Sequence, residues 1–416
     1  MGPPPPSRSA SAPTAGEAQG PLAGLTVVDL TRVLAGPFCT LLLHELGARV
    51  VKVERPGGGD DARHIGPFVA GRSAYFTSLN HGKESIALDL RSEDDRRIFE
   101  RLLGRADVLV ENFRPGVLER LGFGPEAVRR RHPRLVYASV SGFGHSGPWA
   151  RRPAYDLVVQ ALGGVMSITG PPGGPPVRVG TSIGDLTAGL FTALGIVAAL
   201  YERRGSERGA RVDVGMLDCQ LAILENAIAR WAATGEVPGP LGSRHPSIAP
   251  FEAYPTADGP LVIAAGNDLL FAALAEAVER PGLAADPRFA DAPARSAHAD
   301  ALHAVLADAL RARPRAHWQG RLEAAGIPCA PIQNVPEVLA MPQVQARNMI
   351  VHVDQPGAGP LPVPGNPIKI EGKADPPTRP PAPALDADRS RILAWLDEPG
   401  RAPGAKPRKR TRRSSR

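Results

Sequence analysis

The alternation of strand-like and helix-like segments over residues 25–144 constrains this chain more than any other feature. LTVVDL (25–30) is an apolar run suited to a buried strand, GPFCTLLLHELGA (36–48) follows at helical spacing, and ARVVKVE (48–54) is a second strand. Strand, helix and strand within about thirty residues make a βαβ unit. SIALDL (85–90), DVLVENF (107–113) and RLVYASVSGFG (134–144) continue the strands. Between them lie a helix over 92–106 and two short helices within 115–132. The first has Ser92 as N-cap, acids in its first turn and Arg in its last. The pattern predicts an α/β fold with a doubly wound, mostly parallel, Rossmann-like sheet. Ligands of such sheets bind outside the carboxyl ends of the strands, where Arg32, Glu54, Arg55, Asn112 and Ser139 to Ser141 fall. Glu54 suits a dinucleotide site, but the first turn reads TRVLAG and lacks G-x-G-x-x-G, which argues against NAD.

The second half is less regular. DLVVQALGGVMSITG (156–170) predicts a helix ending at Gly170, and PPGGPPVRVG (171–180) an irregular connection. From Leu186, the apolar positions Leu190, Leu194, Val197 and Leu200 mark a long buried helix ending near Arg203. A strand at 210–218 and a helix at 219–235 follow. Composition then shifts to a Pro- and Gly-rich linker, VPGPLGSRHPSIAPF (237–251), a hairpin at 251–266, and helices near 268–279, 295–312 and 315–325. Strand and turn character at 350–370 and a helix at 386–397 close the chain. The expected layout is a disordered segment at 1–20, a large domain at 21–236, and a linker with a smaller α+β domain at 237–342. A return to the large domain at 343–398 and a basic disordered tail at 399–416 complete it.

The net charge of +7 belongs to that tail. The last sixteen residues hold eight Lys or Arg and no acid, and the rest of the chain carries 41 basic and 42 acidic residues. The body is therefore no nucleic-acid binder by charge, and the tail offers at most weak contact. Cys39, Cys219 and Cys329 form no CxxC pair, which argues against a disulfide framework or a zinc site and fits a cytoplasmic protein. No eighteen-residue apolar run predicts a membrane span, and the N-terminus has no apolar signal core.

Asp185, in GTSIGDLTAG (180–189), stands at the mouth of the long helix. Its ordinary reading is a helix cap. A carboxylate so placed is also expected to be held ionised by the helix dipole, ready as a nucleophile or base. Gly180 and Gly184 would leave room for close approach. Tyr155 reads first as packing and Asp156 as a cap for the helix it opens. The ten histidines form no HExxH pair, and Ser139, Ser141 and His145 form no GxSxG. Arg32, Arg55, Lys83, Arg114 and Arg120 are individually ordinary surface charges; together near strand ends they could hold a phosphorylated ligand.

LTRVLAGPFCTLLLHELGARVVKVERPGGGD, NHGKESIALDL, VENFRPGVLERLG, VSGFGHSGPWARRPAYDLVVQALGGVMSITG and VRVGTSIGDLTAG together resemble the class III CoA-transferases, the CaiB/BaiF family, from about Leu22 to Ile370. The resemblance implies Asp185 as catalytic nucleophile. It implies CoA contacts at Leu34, Ala35, Arg55, Asn80, Lys83, Asn112, Phe113, Arg120, Tyr155 and Asp156. It also implies an interlocked homodimer, no tightly bound cofactor, no membrane, and coenzyme A or acyl-CoA as substrate. By the family mechanism, Asp185 attacks the thioester to give a mixed anhydride, and the released thiolate then forms an aspartyl-CoA thioester.

The related α-methylacyl-CoA racemases carry His in place of Tyr155. An imidazole exchanges protons near neutral pH and a phenol does not, so acyl transfer leads and racemisation is the alternative. A non-enzymatic CoA-binding or nucleic-acid-associated protein is the other alternative. The formyl-CoA:oxalate branch has a glycine run absent from GPLGSRHPSIAP, and Gln where Leu34 stands, so formyl or oxalate chemistry is not expected. GSRHPSIAPFEAYPTADG, with AAGND after it, is similar to the succinyl-CoA-dependent members, which implies a succinyl-CoA-like donor and a dicarboxylic acceptor; Arg244 or Arg178 could pair with its distal carboxylate.

Overall fold

The computed structural model describes residues 20–399. Most of the segment expected to be disordered at the N-terminus, and most of the basic tail, lie outside the described residues. The chain divides into two compact units. Among the described residues, one comprises 20–164, 180–225 and 342–399; the other comprises 165–179 and 226–341.

The first unit is built on six parallel strands: β1 (Thr26–Asp29), β2 (Arg49–Glu54), β3 (Glu84–Ala87), β4 (Val108–Glu111), β5 (Val136–Ser141) and β6 (Arg211–Gly215). Their spatial order is β3-β2-β1-β4-β5-β6. The winding reverses between β1 and β4, so the loops leaving those strands part there and open a crevice. The central strands β1 and β4 are buried at every position because both faces are covered. Val27, Val50, Val108 and Val136 pack against α1 (Ala35–Glu45) and a long later helix, through Leu42, Leu43, Ile196 and Leu200. Val28, Val51, Ile86 and Leu109 face α3 (Glu93–Arg105) and the helix Arg389–Asp397, through Phe99, Leu102, Ile392 and Leu396. In chain order, α2 is Ala74–Asn80, α4 is Val117–Arg120 and α5 is Pro125–Arg131.

The edge strand β3 is covered by residues 386–388. Ser85 N–H donates to Asp388 Oδ2 and Ala87 N–H to Asp386 Oδ1, both at 2.8 Å. These carboxylates satisfy groups that would otherwise invite another strand.

Within residues 156–235, three helices differ from expectation. α6 (Asp156–Leu162) stops short of Gly170, because Gly163 and Gly164 follow and Gly164 is left-handed at φ +82°. α7 (Ile183–Ser206) starts three residues before Leu186. The helix expected at 219–235 is two pieces, α8 (Met216–Ala222) and Glu225–Thr234. By length and composition α7 could cross a membrane. Its buried face is Ala188, Ala193, Ile196 and Leu200, whereas Leu190, Leu194 and Val197, expected to be buried, are exposed, because the small residues of the opposite face pack against α1 and the sheet. A Cβ at Gly189 would lie 2.7 Å from Ala35 O, so glycine sets how closely α7 approaches α1.

The second unit contains a three-stranded antiparallel sheet, Phe251–Thr256, Gly259–Ala264 and Cys329–Pro331, under helices including Asp268–Ala277 and Ala299–Leu310. Arg295 is fully buried in its core and donates to Ala249 O, Phe289 O and Asp268 Oδ1.

Candidate active site

The loop after β1 is over-determined. Val33 is left-handed at φ +66°, a costly state for a β-branched residue, of order 1–3 kcal/mol. Side chains from other elements hold it there. Val33 N–H donates to Asp60 Oδ1 (2.9 Å), and Arg32 N–H to Asn112 Oδ1 (3.0 Å). Asn112 Nδ2 donates back to Arg32 O (2.8 Å), and Lys52 Nζ donates to Thr31 O (2.7 Å). Lys52 and Asp60 form a buried ion pair at 2.8 Å. The loop delivers Leu34 and Ala35 to the start of α1.

A cavity of about 190 Å³ opens at this point. Leu34, Ala35, Asn112, Phe113, Tyr155 and Asp185 all line it, although they are spread over 150 residues of sequence. Arg32, Asp61, Arg114 and Arg152 join them. Arg152 and Asp61 were not singled out from sequence. The Asp-Asp pair after three glycines beyond β2, and the Arg before Pro153, were the available signals.

Asp185 is the third residue of α7 and not its cap. Ser182, at the cap position, makes no side-chain hydrogen bond there. The cap is supplied from α6: Gly184 N–H donates to Asp156 Oδ1 (2.8 Å), and Gln160 Nε2 to Asp156 Oδ2 (2.7 Å). Asp156 thus satisfies a first-turn donor of α7, not of its own helix. Gly184 is required by packing, since a Cβ would meet Val159 at 2.8 Å and Asp156 Oδ1 at 3.0 Å.

The expectation of a carboxylate held ionised is corrected. Burial, and then the negative charge of Asp156, raise the Asp185 pKa to about 7. Fold and acid strength are linked here. The unfolded chain ionises Asp185 near 4, so the fold loses stability as pH rises from about 4 to about 7. A reaction that needs the carboxylate should fall about tenfold per pH unit below about 7 and level off above about 8. Asp156→Asn should move that limb to lower pH by up to about one unit. A kcat/KM profile checks both; a limb unmoved in the variant would show that Asp156 exerts no charge effect.

The other expected contacts fall elsewhere. Arg55 lines a neighbouring cavity of about 380 Å³ with Leu30, Val53, Leu90 and Arg91, and Phe113 is a wall of both cavities. Arg120 is exposed at the end of α4. Asn80 and Lys83 are buried away from the cavity. Lys83 Nζ donates to Asp29 Oδ2, Pro37 O, Thr40 Oγ1 and Asn80 Oδ1 at 2.8–3.0 Å. Such a cation has no donor left for a phosphate. In the second unit, Arg244 is engaged by Glu252 (3.2 Å) and Asp300 (2.5 Å). Among the described residues, no group of three or more His, Cys, Asp or Glu is arranged to hold a metal.

A family model described as CoA-transferase family III matches residues 22–389. The chain is 50% identical over 374 residues to an acetyl-CoA:oxalate CoA-transferase of Acetobacter aceti, covering 90% of this chain and 95% of that protein. It is 42% identical over 392 residues to a succinyl-CoA:mesaconate CoA-transferase of Haloarcula hispanica, covering 92% and 97%. The crystal structure of a CAIB/BAIF family protein from Brucella suis matches with a TM-score of 0.80 at 38% identity, covering 91% of this chain and all of that one.

Proposed function

We propose that this chain, which belongs to CoA-transferase family III, moves CoA from an acyl-CoA donor to a dicarboxylic acid with Asp185 as covalent carrier. The observation that carries the reading is the half-buried Asp185 carboxylate in a cavity at the sheet's switch point, beside Leu34, Ala35 and Phe113. Asp185 attacks the thioester carbonyl; the C–S bond breaks and CoA thiolate leaves, giving a mixed anhydride. The thiolate attacks the aspartyl carbonyl, expels the donor acid, and leaves an aspartyl-CoA thioester. The acceptor carboxylate then attacks that thioester, and the same steps run in reverse. No proton is gained or lost across the cycle, so the reaction needs an ionised carboxylate and little water rather than a general base.

The strand ends suit a long ligand. Its thioester would reach Asp185, and its nucleotide end would lie toward the cavity of Arg55, past Phe113. Tyr155 shares the cavity with Asp185 where proton exchange would call for an imidazole. Release of α-deuterium from a 2-methylacyl-CoA, without CoA transfer, would favour the racemase reading instead.

For the acceptor, Arg152 is the better-placed cation. Among the described residues it has no acidic partner, and its guanidinium lies 4.5 Å over the Trp149 ring. An orientation set by a ring leaves the planar donors for a carboxylate. Oxalate and mesaconate, named for the two relatives, both carry a second carboxylate, so oxalate returns to the field despite the missing glycine run. Acetyl-CoA and succinyl-CoA, each offered to oxalate, mesaconate and a monocarboxylate, define the pair. Hydroxylamine present during turnover should leave a hydroxamate on Asp185. Arg152→Met should raise KM for the dicarboxylate about tenfold and leave the monocarboxylate nearly unchanged. An equal rise for both would remove Arg152 from the acceptor site.

A second copy of the chain is the expected partner. α7 exposes Leu190, Leu194, Val197 and Tyr201 along one stripe, at 51, 64, 37 and 76% exposure, which self-association would cover.

A further inference from the structure

The two arginines at the mouth of the site share one carboxylate. Asp61 Oδ2 lies 3.0 Å from Arg32 Nη1, and Asp61 Oδ1 lies 2.9 Å from Arg55 Nη2. Arg32 and Asp61 line the cavity of Asp185, whereas Arg55 lines the neighbouring one, so the bridge spans the seam between them. Its backbone is anchored from below. Asp61 opens the short turn Asp61–His64, whose cap is the buried Asp60, itself paired with Lys52. Both arginines are otherwise lightly held. Arg55 Nε donates to Gly59 O (3.1 Å), and the Arg32 guanidinium sits 5.6 Å from the Phe113 ring.

We propose that Asp61 is an internal stand-in for the anionic part of the ligand. It keeps Arg32 and Arg55 in receiving position and gives them up when a phosphate-bearing molecule enters. The trio carries one net positive charge, and a phosphate group arriving between the arginines restores the charge balance that Asp61 leaves short. The exchange is feasible because the bridge is wet: Arg32, Arg55 and Asp61 side chains are 48, 63 and 39% exposed, and pairs of that kind are weak. Asp61 therefore sets affinity by competition and acts as a positioning residue, not a catalytic one. This rests on the reading that the ligand is CoA.

Asp61→Asn keeps the shape and removes the charge. Titration calorimetry with CoA and with adenosine 3′,5′-bisphosphate should show binding about five- to tenfold tighter than wild type at low salt. The gain should vanish near 0.5 M NaCl, where exposed charges are screened. KM for the acyl-CoA should fall while kcat does not rise, because release slows. Adding Arg55→Met should cancel most of the gain. Unchanged or weaker CoA binding by an Asp61→Asn protein with wild-type thermal stability overturns the proposal and leaves the CoA reading standing. A wild-type protein that binds neither probe overturns both.

Discussion

Asp185→Ala should lower kcat for CoA transfer by at least about 10⁴-fold while leaving CoA binding within about threefold of wild type. The size follows from the chemistry. Without the carboxylate no anhydride forms, and direct attack of one dilute carboxylate on a bound thioester lacks the covalent shortcut. The intact binding follows from the architecture. Leu34 and Ala35 are placed by Asn112, Asp60 and Lys52, and Phe113 by its N–H bond to Glu111 Oε2 (2.9 Å); none of these uses Asp185. Stopped assays with calorimetry separate the two effects. Transfer retained above about one per cent of wild type would end the covalent mechanism.

The same carboxylate should be a liability to the fold. Its pKa near 7 means that ionising it costs folding energy of up to about 4 kcal/mol, cut to about 2 by the solvent reaching a half-buried group. Asp185→Asn should therefore raise stability at pH 8 and change it little at pH 4. This trade of stability for a reactive group is common at active sites.

Much of this was legible in the sequence. The apolar runs gave away the β-strands because a parallel sheet buries both faces, and Asp185, Tyr155, Asn112 and Phe113 converge because each follows or faces a strand's carboxyl end. The family reading holds across residues 22–389. What escaped was tertiary. Asp156 was expected to cap α6, but it is the first residue of that helix and its carboxylate turns to α7, a choice made by the packing of two helices. Asn112 lines the cavity as expected of a ligand contact, but the sequence did not show that its amide also braces the Arg32 backbone through N–H and C=O. Lys83 shows a charge in the sequence but not its burial, because its four acceptors come from positions 29, 37, 40 and 80.

Lys83 yields the largest expected change in stability. Lys83→Ala should destabilise the first unit by about 3–5 kcal/mol, a large share of what holds any domain together. Both side chains of the Lys83–Asp29 pair are fully buried. Burial drives the Lys83 pKa down to about 8 against the pull of Asp29, so the ammonium remains charged at neutral pH. Burial would push Asp29 up, but Lys52, Lys83 and the hydroxyls of Thr31 and Thr40 together hold it well below the usual carboxylate range. Removing Lys83 leaves Asp29 ionised in the core with Lys52 as its remaining close cation, and strips donors from Pro37 O and Asn80 Oδ1. Urea unfolding reads the loss as a lower midpoint at unchanged slope. If Lys83 were instead a CoA ligand, the variant would fold normally and bind CoA poorly, and that result would overturn the structural assignment. Lys83→Met with Asp29→Asn should recover part of the loss, because an apolar–neutral pair leaves no carboxylate short of its cation, and Lys52 keeps Asp60 as its partner. Recovery from that double change is what a structural ion pair predicts and a ligand contact does not.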